Sequence, residues 1–348
     1  MRVSLRHVAE RAGVSRVTAS NVLNGRSDQV SPDTRHRVAR AMRDLNYVPV
    51  APPALQSRHV ATRIIGLVFD YIDMEDPWGL RIYQGLRRGA QQNGYDLLSI
   101  LRTLPDDLID SDLRFLDRRS DGFIFILPRE RTAVLQTLVE HRIPVVACDT
   151  RDVPHGVPTI AIDDADAMRQ SVNHLIANGH RRILHLAGPQ ERDDFRLRRE
   201  GYEAAMRDAG LQARVVAAPP LQRANQADQN ARAGVARAYD AAMRAEVLAL
   251  IEEEKITAVA SASDNAAMNL WRCAEEDGLR VPRRLSITGM DDYPGAAEAG
   301  LTTIRFDSAA VGQAAIETLI QSIEGGKTKN HVVPVHLVAR DSVAPPSL

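Results

Sequence analysis

The sequence predicts an α/β protein in three parts: a small all-helical head, a proline-bearing linker and a large body of parallel strands flanked by helices. Length is the first observation, since 348 residues exceed one ordinary domain of about 100–200 residues. Charge is the second. Residues 1–60 hold ten Arg and no Lys against four acids, a net +6, so the remainder is net −7 within an overall −1. A basic head on an acidic body points to a polyanion meeting the head alone. The third is patterning, which changes at Ile64 from helical periodicity to short apolar runs alternating with helices.

Composition removes several classes. A hydrophobic content of 44% with 26% charged residues excludes disordered and collagen-like chains. No stretch reaches the roughly 18 apolar residues of a spanning helix, so no membrane partner is expected. The start, Met1 to His7, has charge but no apolar core behind it, unlike a secretory signal, and a cytoplasmic location is expected. Cys148 and Cys273 are too few for a disulfide framework or a four-ligand zinc site and read as core thiols. The three lysines, Lys255, Lys327 and Lys329, follow no glycine-rich phosphate loop. Ten histidines show no HxxH or HExxH spacing, so neither metal nor cofactor is expected. Asp291 and Asp292 are neighbours in the chain, whereas a glycosidase needs two carboxyls facing each other across a bond. With no nucleophile elbow either, the chain reads as not an enzyme.

The head, residues 1–48, reads as three short helices. Ser4 can cap the first, whose apolar residues Leu5, Val8, Ala9 and Ala12 share one face before Gly13 ends it. Ser15 can cap a second helix carrying Ala19, Val22 and Leu23 inward, broken by Asn24-Gly25. Ser31-Pro32 opens a third, with proline where no amide donor is lost and Val38, Ala41, Met42 and Leu45 inward. The three-residue turn Gly13-Val14-Ser15 makes the first pair a helix-turn-helix. In that motif the second helix enters the major groove, and its outward face reads Arg16, Val17, Ser20, Asn21. Arg16 suits guanine, Val17 a thymine methyl and Asn21 adenine. Ser15 and Thr18 stand where hydroxyls hold phosphate, although Ser15 serves equally as a cap alone, and Ser31 completes the candidate DNA contacts.

Residues 49–63 form the linker, with Pro49, Pro52 and Pro53 close together, a composition that stiffens a spacer. The body from Ile64 runs strand-like Ile64–Phe69, a helix near 78–93, Leu97–Leu101, a helix near 107–118, Gly122–Leu127, a helix near 131–141 and Pro144–Cys148. A second series follows: Ile183–Ala187, a helix over 196–209, Val215–Ala217, a long helix across 226–253, Ala258–Ser261, a helix over 264–277 and Leu285–Met290. Two such series imply two similar lobes of parallel strands with helices on both faces.

The chain resembles the lactose-repressor (LacI/GalR) family of transcription regulators. The head carries the resemblance in Val3 to Ser15, Thr18 to Asn24, Val30 to Arg35 and Leu45 to Pro49. The body carries it in Ile65-Gly66-Leu67-Val68, Asp76-Pro77-Trp78, Asp121-Gly122-Phe123-Ile124, Gly179-His180-Arg181-Arg182-Ile183, Arg198 with Gly201-Tyr202, and Gly289-Met290-Asp291-Asp292. There are departures. His7 stands where an acid usually completes the first capping box, Asn21 and Ala19 replace the usual arginine and valine, and Ser263 replaces an asparagine. The resemblance implies a hinge helix that pushes a leucine into the minor groove, and such wedges kink base steps. Leu55 is the candidate, but it lies one position early, behind Pro53-Ala54, so a plain linker stands beside the wedge.

For the body, residues 64–348, the resemblance implies a periplasmic-binding-protein-like architecture. The N-lobe is expected over about 64–162 and 291–325, the C-lobe over about 163–290 and 326–340, and a ligand between them at the strands' carboxyl ends. The expected effector is a sugar, whose hydroxyls need planar polar groups and whose apolar face needs an aromatic ring. Arg198 matches the family position that grips ligand hydroxyls, and Asp291 the family's cleft acid. Asp70, Asp149 and Asp264 also follow apparent strand ends, where capping the next helix is the competing role. Trp78 is the stacking candidate, with Phe306 behind it, and either ring can simply pack; Trp271 lies mid-helix and reads as packing. The implied function is a homodimeric repressor on pseudo-palindromic operator DNA, released by its effector. A sugar-binding protein with impaired DNA binding is the alternative, and an operator affinity that rises with ligand would reverse the sign.

Overall fold

The computed structural model describes residues 3–23, 30–45, 47, 61–69, 77–101, 115–116, 119–128, 132–219 and 238–346. Asp70, Leu55, most of the linker and nearly all of the helix expected near 107–118 lie outside them.

The head forms α1 (Leu5–Ala12), α2 (Arg16–Leu23) and α3 (Pro32–Asp44). Val8, Ala12, Ala19, Val22, Val38 and Met42 interlock as its core. Gly13 ends α1 at φ 65°, and the Val14 amide reaches back to the Ala9 carbonyl at 3.0 Å, the pattern that satisfies carbonyls at a helix terminus. His7 corrects a sequence expectation. Its Nδ1 accepts the Ser4 amide at 3.1 Å, so an imidazole does the work of the missing acid in the capping box. Arg11 and Asp44 tie α1 to α3 at 3.2 Å.

Among the described residues, the body holds two six-stranded sheets. Its elements in order are β1 (Ile64–Phe69), α4 (Pro77–Gln92), β2 (Asp96–Leu101), β3 (Gly122–Ile126), α5 (Thr132–Glu140), β4 (Val145–Cys148), β5 (Thr159–Ile162), α6 (Asp164–Ala177), β6 (Ile183–Ala187), α7 (Asp193–Asp208) and β7 (Arg214–Ala217). Residues 238–242 are helical, and a widened helical stretch, Met243–Leu248, follows them into α8 (Ala249–Glu253), so that 238–253 is the described part of the long helix expected over 226–253. Then come β8 (Ala258–Ser261), α9 (Asp264–Glu276), β9 (Ser286–Met290), α10 (Pro294–Ala299), β10 (Thr302–Phe306), α11 (Ser308–Ile323), β11 (His331–Val333) and β12 (Val335–Val338).

The first sheet runs β11-β5-β4-β3-β1-β2, parallel throughout. The second runs β12-β10-β9-β8-β6-β7, parallel except for the edge strand β12, which lies antiparallel to β10. Short apolar strands buried on both faces are what such sheets require, and β3, β4, β6 and β8 are buried at every residue.

This topology corrects the expected lobe boundary at 291. Thr302 of β10 pairs in register with Thr288 of β9, so the chain remains in the second lobe after Asp291. It crosses after Phe306, where Asp307 caps α11 by accepting the Ala310 amide. Helix α11 then packs on α4 in the first lobe's core, through Val311, Ala315 and Ile316 against Ile82 and Leu86. The last crossing falls between β11 and β12 rather than near 325, because Val333 closes the first sheet and Val335 opens the edge of the second. The expected crossing near 162 coincides with the end of β5.

Candidate ligand cavity and nucleic-acid interface

Burial sorts the faces of α2. Ala19 and Val22 are buried in the head core, whereas Arg16 is exposed and Val17 is 69% exposed. An aliphatic side chain held in solvent beside an arginine suits a base edge better than it suits water. Ser15 Oγ accepts the Thr18 amide at 3.0 Å and lies 2.8 Å from Thr18 Oγ1. Ser31 caps α3 in the same way, accepting the Thr34 amide at 3.4 Å. Both serines are therefore caps, and both also present a hydroxyl at a helix N-terminus, where phosphate is favoured. Ser20 and Asn21 sit half-buried on the same helix.

The second site lies between the lobes. A cavity of about 680 Å³ opens at the strand ends, within the ~300–1,000 Å³ range of small-molecule sites. Of the residues singled out from sequence, Trp78, Asp149, Arg198, Asp291 and Phe306 line it. Asp264 does not, and this corrects the expectation. Its buried carboxylate accepts the Tyr293 amide at 2.8 Å and the Thr303 hydroxyl at 2.6 Å, fastening the start of α9 to the neighbouring loop and to β10. Ser263, rather than Asp264, caps α9 by accepting the Ala266 amide. Trp78 and Phe306 play both of the roles weighed for them, lining the cavity while packing into the first lobe's core.

Arg198 organises the floor. It is 6% exposed, with Nε donating to Asp164 at 2.8 Å, Nη1 donating to the Ala262 carbonyl at 2.7 Å, and Nη2 lying 3.8 Å from Asp291. Its guanidinium also lies over the Phe195 ring at 5.2 Å, and that of Arg192 lies over the same ring at 4.5 Å. Gly201 makes this placement possible. A Cβ there would stand 2.2 Å from the Ala165 carbonyl oxygen, so only glycine lets α7 approach α6 closely enough to pair Arg198 with Asp164. Burial alone disfavours the Arg198 cation, yet Asp164, Asp291 and Asp194 outweigh it and hold the group charged. Asp164 is pushed up to about 6 by burial, with Arg198 pulling the other way.

Asp149 differs from these. It closes β4 at φ 53°, and Asp291 closes β9 at φ 109°, conformations that cost an L-residue of order ~1–3 kcal/mol and cluster at functional sites. Asp149 is 8% exposed, and its Oδ2 has no hydrogen-bond partner. Burial first, then Asp164 and Asp194, push its carboxyl well above the ordinary range, against Arg198 and Arg192.

The lobes also touch outside the cavity. Asp193, in the first turn of α7, accepts the Thr150 hydroxyl at 3.2 Å and the amides of Arg151 and Asp152 at 3.2 and 3.1 Å. Sequence reasoning missed Asp164, Arg192, Asp194, Phe195, Tyr239 and Tyr293 in the wall. A signal existed for two of them: Asp194 and Phe195 precede Arg198 by four and three residues, the spacings that share a helix face. His180 is structural, bridging Thr257 Oγ1 and the Ala344 carbonyl at 2.9 Å each.

Residues 4–50 match the bacterial regulatory proteins of the lacI family, and residues 172–343 match the periplasmic binding protein-like domain. The transcriptional regulator MalR of Streptomyces coelicolor is 31% identical over 99% of this chain and 97% of its own length. Among solved structures, a complex of the regulator CelR with cellobiose has a TM-score of 0.68 at 26% identity, covering 98% of this chain and all of that one. A lac repressor dimer bound to operator and the anti-inducer ONPF has a TM-score of 0.66 at 28% identity over 99% of this chain and all of that one. These relatives are regulators rather than enzymes, and no helix among the described residues is long and apolar enough to cross a membrane. The chain belongs to the lacI family of bacterial regulatory proteins and is a DNA-binding transcriptional regulator.

Proposed function

We propose that this regulator is a repressor acting in the cytoplasm as a homodimer on a pseudo-palindromic operator, released when a sugar enters the cavity between its lobes. The observation that carries the effector is the cavity: it joins a buried, fully engaged Arg198 with carboxylates and with the aromatic rings of Trp78, Phe195 and Phe306. Carboxylates and a guanidinium suit vicinal hydroxyls, and rings suit the apolar face of a pyranose. The solved relative that holds cellobiose supports the same class, and the operator-bound dimer supports the assembly.

On the DNA side, Arg16 and Val17 read bases, Ser20 and Asn21 flank them, and Ser15, Thr18 and Ser31 hold phosphates at two helix starts. Two heads then occupy half-sites about one helical turn apart. Coupling requires the ligand to favour one arrangement of the lobes over another. The Asp193 contacts with residues 150–152 bridge the lobes and belong to the arrangement that ligand binding acts upon.

A melting screen of the full chain against unphosphorylated sugars tests the cleft. A ligand at ~100 times its dissociation constant adds about 2.7 kcal/mol. A shift with one sugar class that disappears in Arg198→Ala supports the reading; no shift with any sugar overturns the sugar. Selection of DNA from a random pool tests the head. A recovered palindrome whose recognition relaxes at one position in Arg16→Ala supports it, and failure to recover any palindrome favours a sugar-binding protein with an impaired head.

A further inference from the structure

Among the described residues, the cavity wall carries five carboxylates, Asp149, Asp164 and Asp194 among them, against two guanidiniums, Arg192 and Arg198. Both guanidiniums are engaged by the wall itself. Arg192 pairs with Asp194 through two nitrogens, and Arg198 serves Asp164 and the Ala262 carbonyl. A phosphate or carboxylate on a ligand would meet excess negative charge, and both arginines would have to abandon buried partners to receive it.

The remaining demand runs the other way. Asp149 Oδ2 is buried in the wall and has no partner, and a buried polar atom left so is costly. It belongs to the first lobe, whereas Asp164 and Asp194, the carboxylates that act on it most strongly, belong to the second. Carboxyl groups of both lobes thus line one cleft, and a positive charge placed among them supplies the donor that the orphan oxygen lacks, favours the ionised form of Asp149 and engages both lobes at once. Trp78, Tyr239 and Tyr293 also line the wall, and aromatic rings are compatible with a bound cation. No group of three or more His, Cys, Asp or Glu among the described residues is disposed to hold a metal ion, so the matching charge is an organic ammonium.

Resting on the assignment of this cavity as the effector site, we infer that the effector is an amine-bearing sugar whose ammonium sits at Asp149 and bridges it to the carboxylates of the second lobe. Hydroxyls of the same ligand are left to the Arg198 and Asp291 side of the cavity.

Calorimetric titration of the full-length protein in amine-free phosphate buffer at pH 7 tests this with matched sets. The probes are D-glucosamine, D-galactosamine and D-mannosamine, each beside its parent hexose, its N-acetyl derivative and its 6-phosphate. The N-acetyl compound keeps the scaffold and removes the charge. At least one amine is expected to bind tenfold or more tighter than its parent and its N-acetyl form, with no binding of the phosphates. That preference should fall to threefold or less in Asp149→Asn, a residue type that tolerates the positive φ at this position. Asp194→Asn, on the opposite lobe, should weaken it as well. Melting curves establish that both variants fold.

A parent hexose or N-acetyl sugar that binds as tightly as the amine overturns the inference. So does a preference that survives both variants, or a lack of response to every amine. Binding of a neutral hexose that Arg198→Ala abolishes leaves the sugar-effector reading standing while removing the ammonium. Silence of the wild type across the wider sugar screen removes both.

Discussion

The first lobe brings Trp78, Leu127, Asp149 and Ile162 to the cavity, and the second brings Arg192, Asp194, Phe195 and Arg198 together with Asp164. The second lobe's charges answer one another: Arg198 holds Asp164 and a main-chain carbonyl, and Arg192 holds Asp194. Among the described residues, the first lobe's one buried acid, Asp149, has an oxygen that nothing answers. One half of the site is thus built before a ligand arrives, and the other half waits for a donor. Such an asymmetry makes closure depend on what lies in the cleft, because affinity for one lobe alone would not discriminate between open and closed arrangements.

The strongest way to break this contrast is Arg198→Ala. It leaves Asp164 buried without its guanidinium, and removing one partner of a buried pair costs about 3–5 kcal/mol. Melting temperature should fall on the order of 10 °C, at about 2–4 °C per kcal/mol for a domain of this size. Arg198→Lys should recover little of it, because an ammonium cannot serve two directions as the planar fork does. A loss of under about 2 °C would mean that the second lobe is not organised by this residue.

Gly201→Ala attacks the same half through its backbone. The added carbon meets the Ala165 carbonyl, so α6 and α7 must part, at a cost of about 1–3 kcal/mol. Effector affinity should fall with stability, since Arg198 moves off Asp164. Unchanged ligand affinity in this variant would detach the helix contact from the site.

Asp149→Asn sharpens the contrast from the first lobe. A carboxyl whose folded pKa is raised stabilises the fold at low pH and loses that contribution as pH rises through the folded value. Asp149 is raised by burial and by Asp164 and Asp194. The substitution should therefore raise the melting temperature more at high pH than at low pH, where the wild-type carboxyl carries its proton and costs the fold nothing. A gain that is the same at every pH would show that repulsion across the cleft is not its source.

The mildest test concerns the bridge outside the cavity. Asp193 is held below the usual carboxylate range, its partial burial outweighed by Arg196 and by the amides of Arg151 and Asp152. Asp193→Ala should leave the melting temperature within about 2 °C while increasing hydrogen exchange at those two amides. Unchanged protection there would remove the bridge from any role in holding the lobes together.

The sequence showed one side of this asymmetry better than the other. Asp149, Asp291 and Arg198 were legible because strand ends and a glycine landmark place them. Asp164 was not, since the run Asp163-Asp164-Ala165-Asp166 looks like any acidic helix start. Only the fold brings it to a guanidinium 34 residues away. Asp264 failed for the converse reason: an acid after a strand looks the same whether it faces a cleft or, as here, fastens a loop and a strand inside the lobe. The misplaced crossing at 291 has a similar cause. Nothing local in Thr302–Phe306 says which sheet it joins, and its pairing with β9 is a long-range fact.

Operator affinity with and without the cleft ligand tests the central claim most directly. Fluorescence anisotropy of the selected palindrome, at constant salt because phosphate contacts make binding salt-dependent, should weaken by about 5–150-fold at saturating ligand, the usual range of such coupling. The change should vanish in Arg198→Ala. An operator affinity that stays the same while calorimetry shows the cavity filled would contradict control of the head from the cleft.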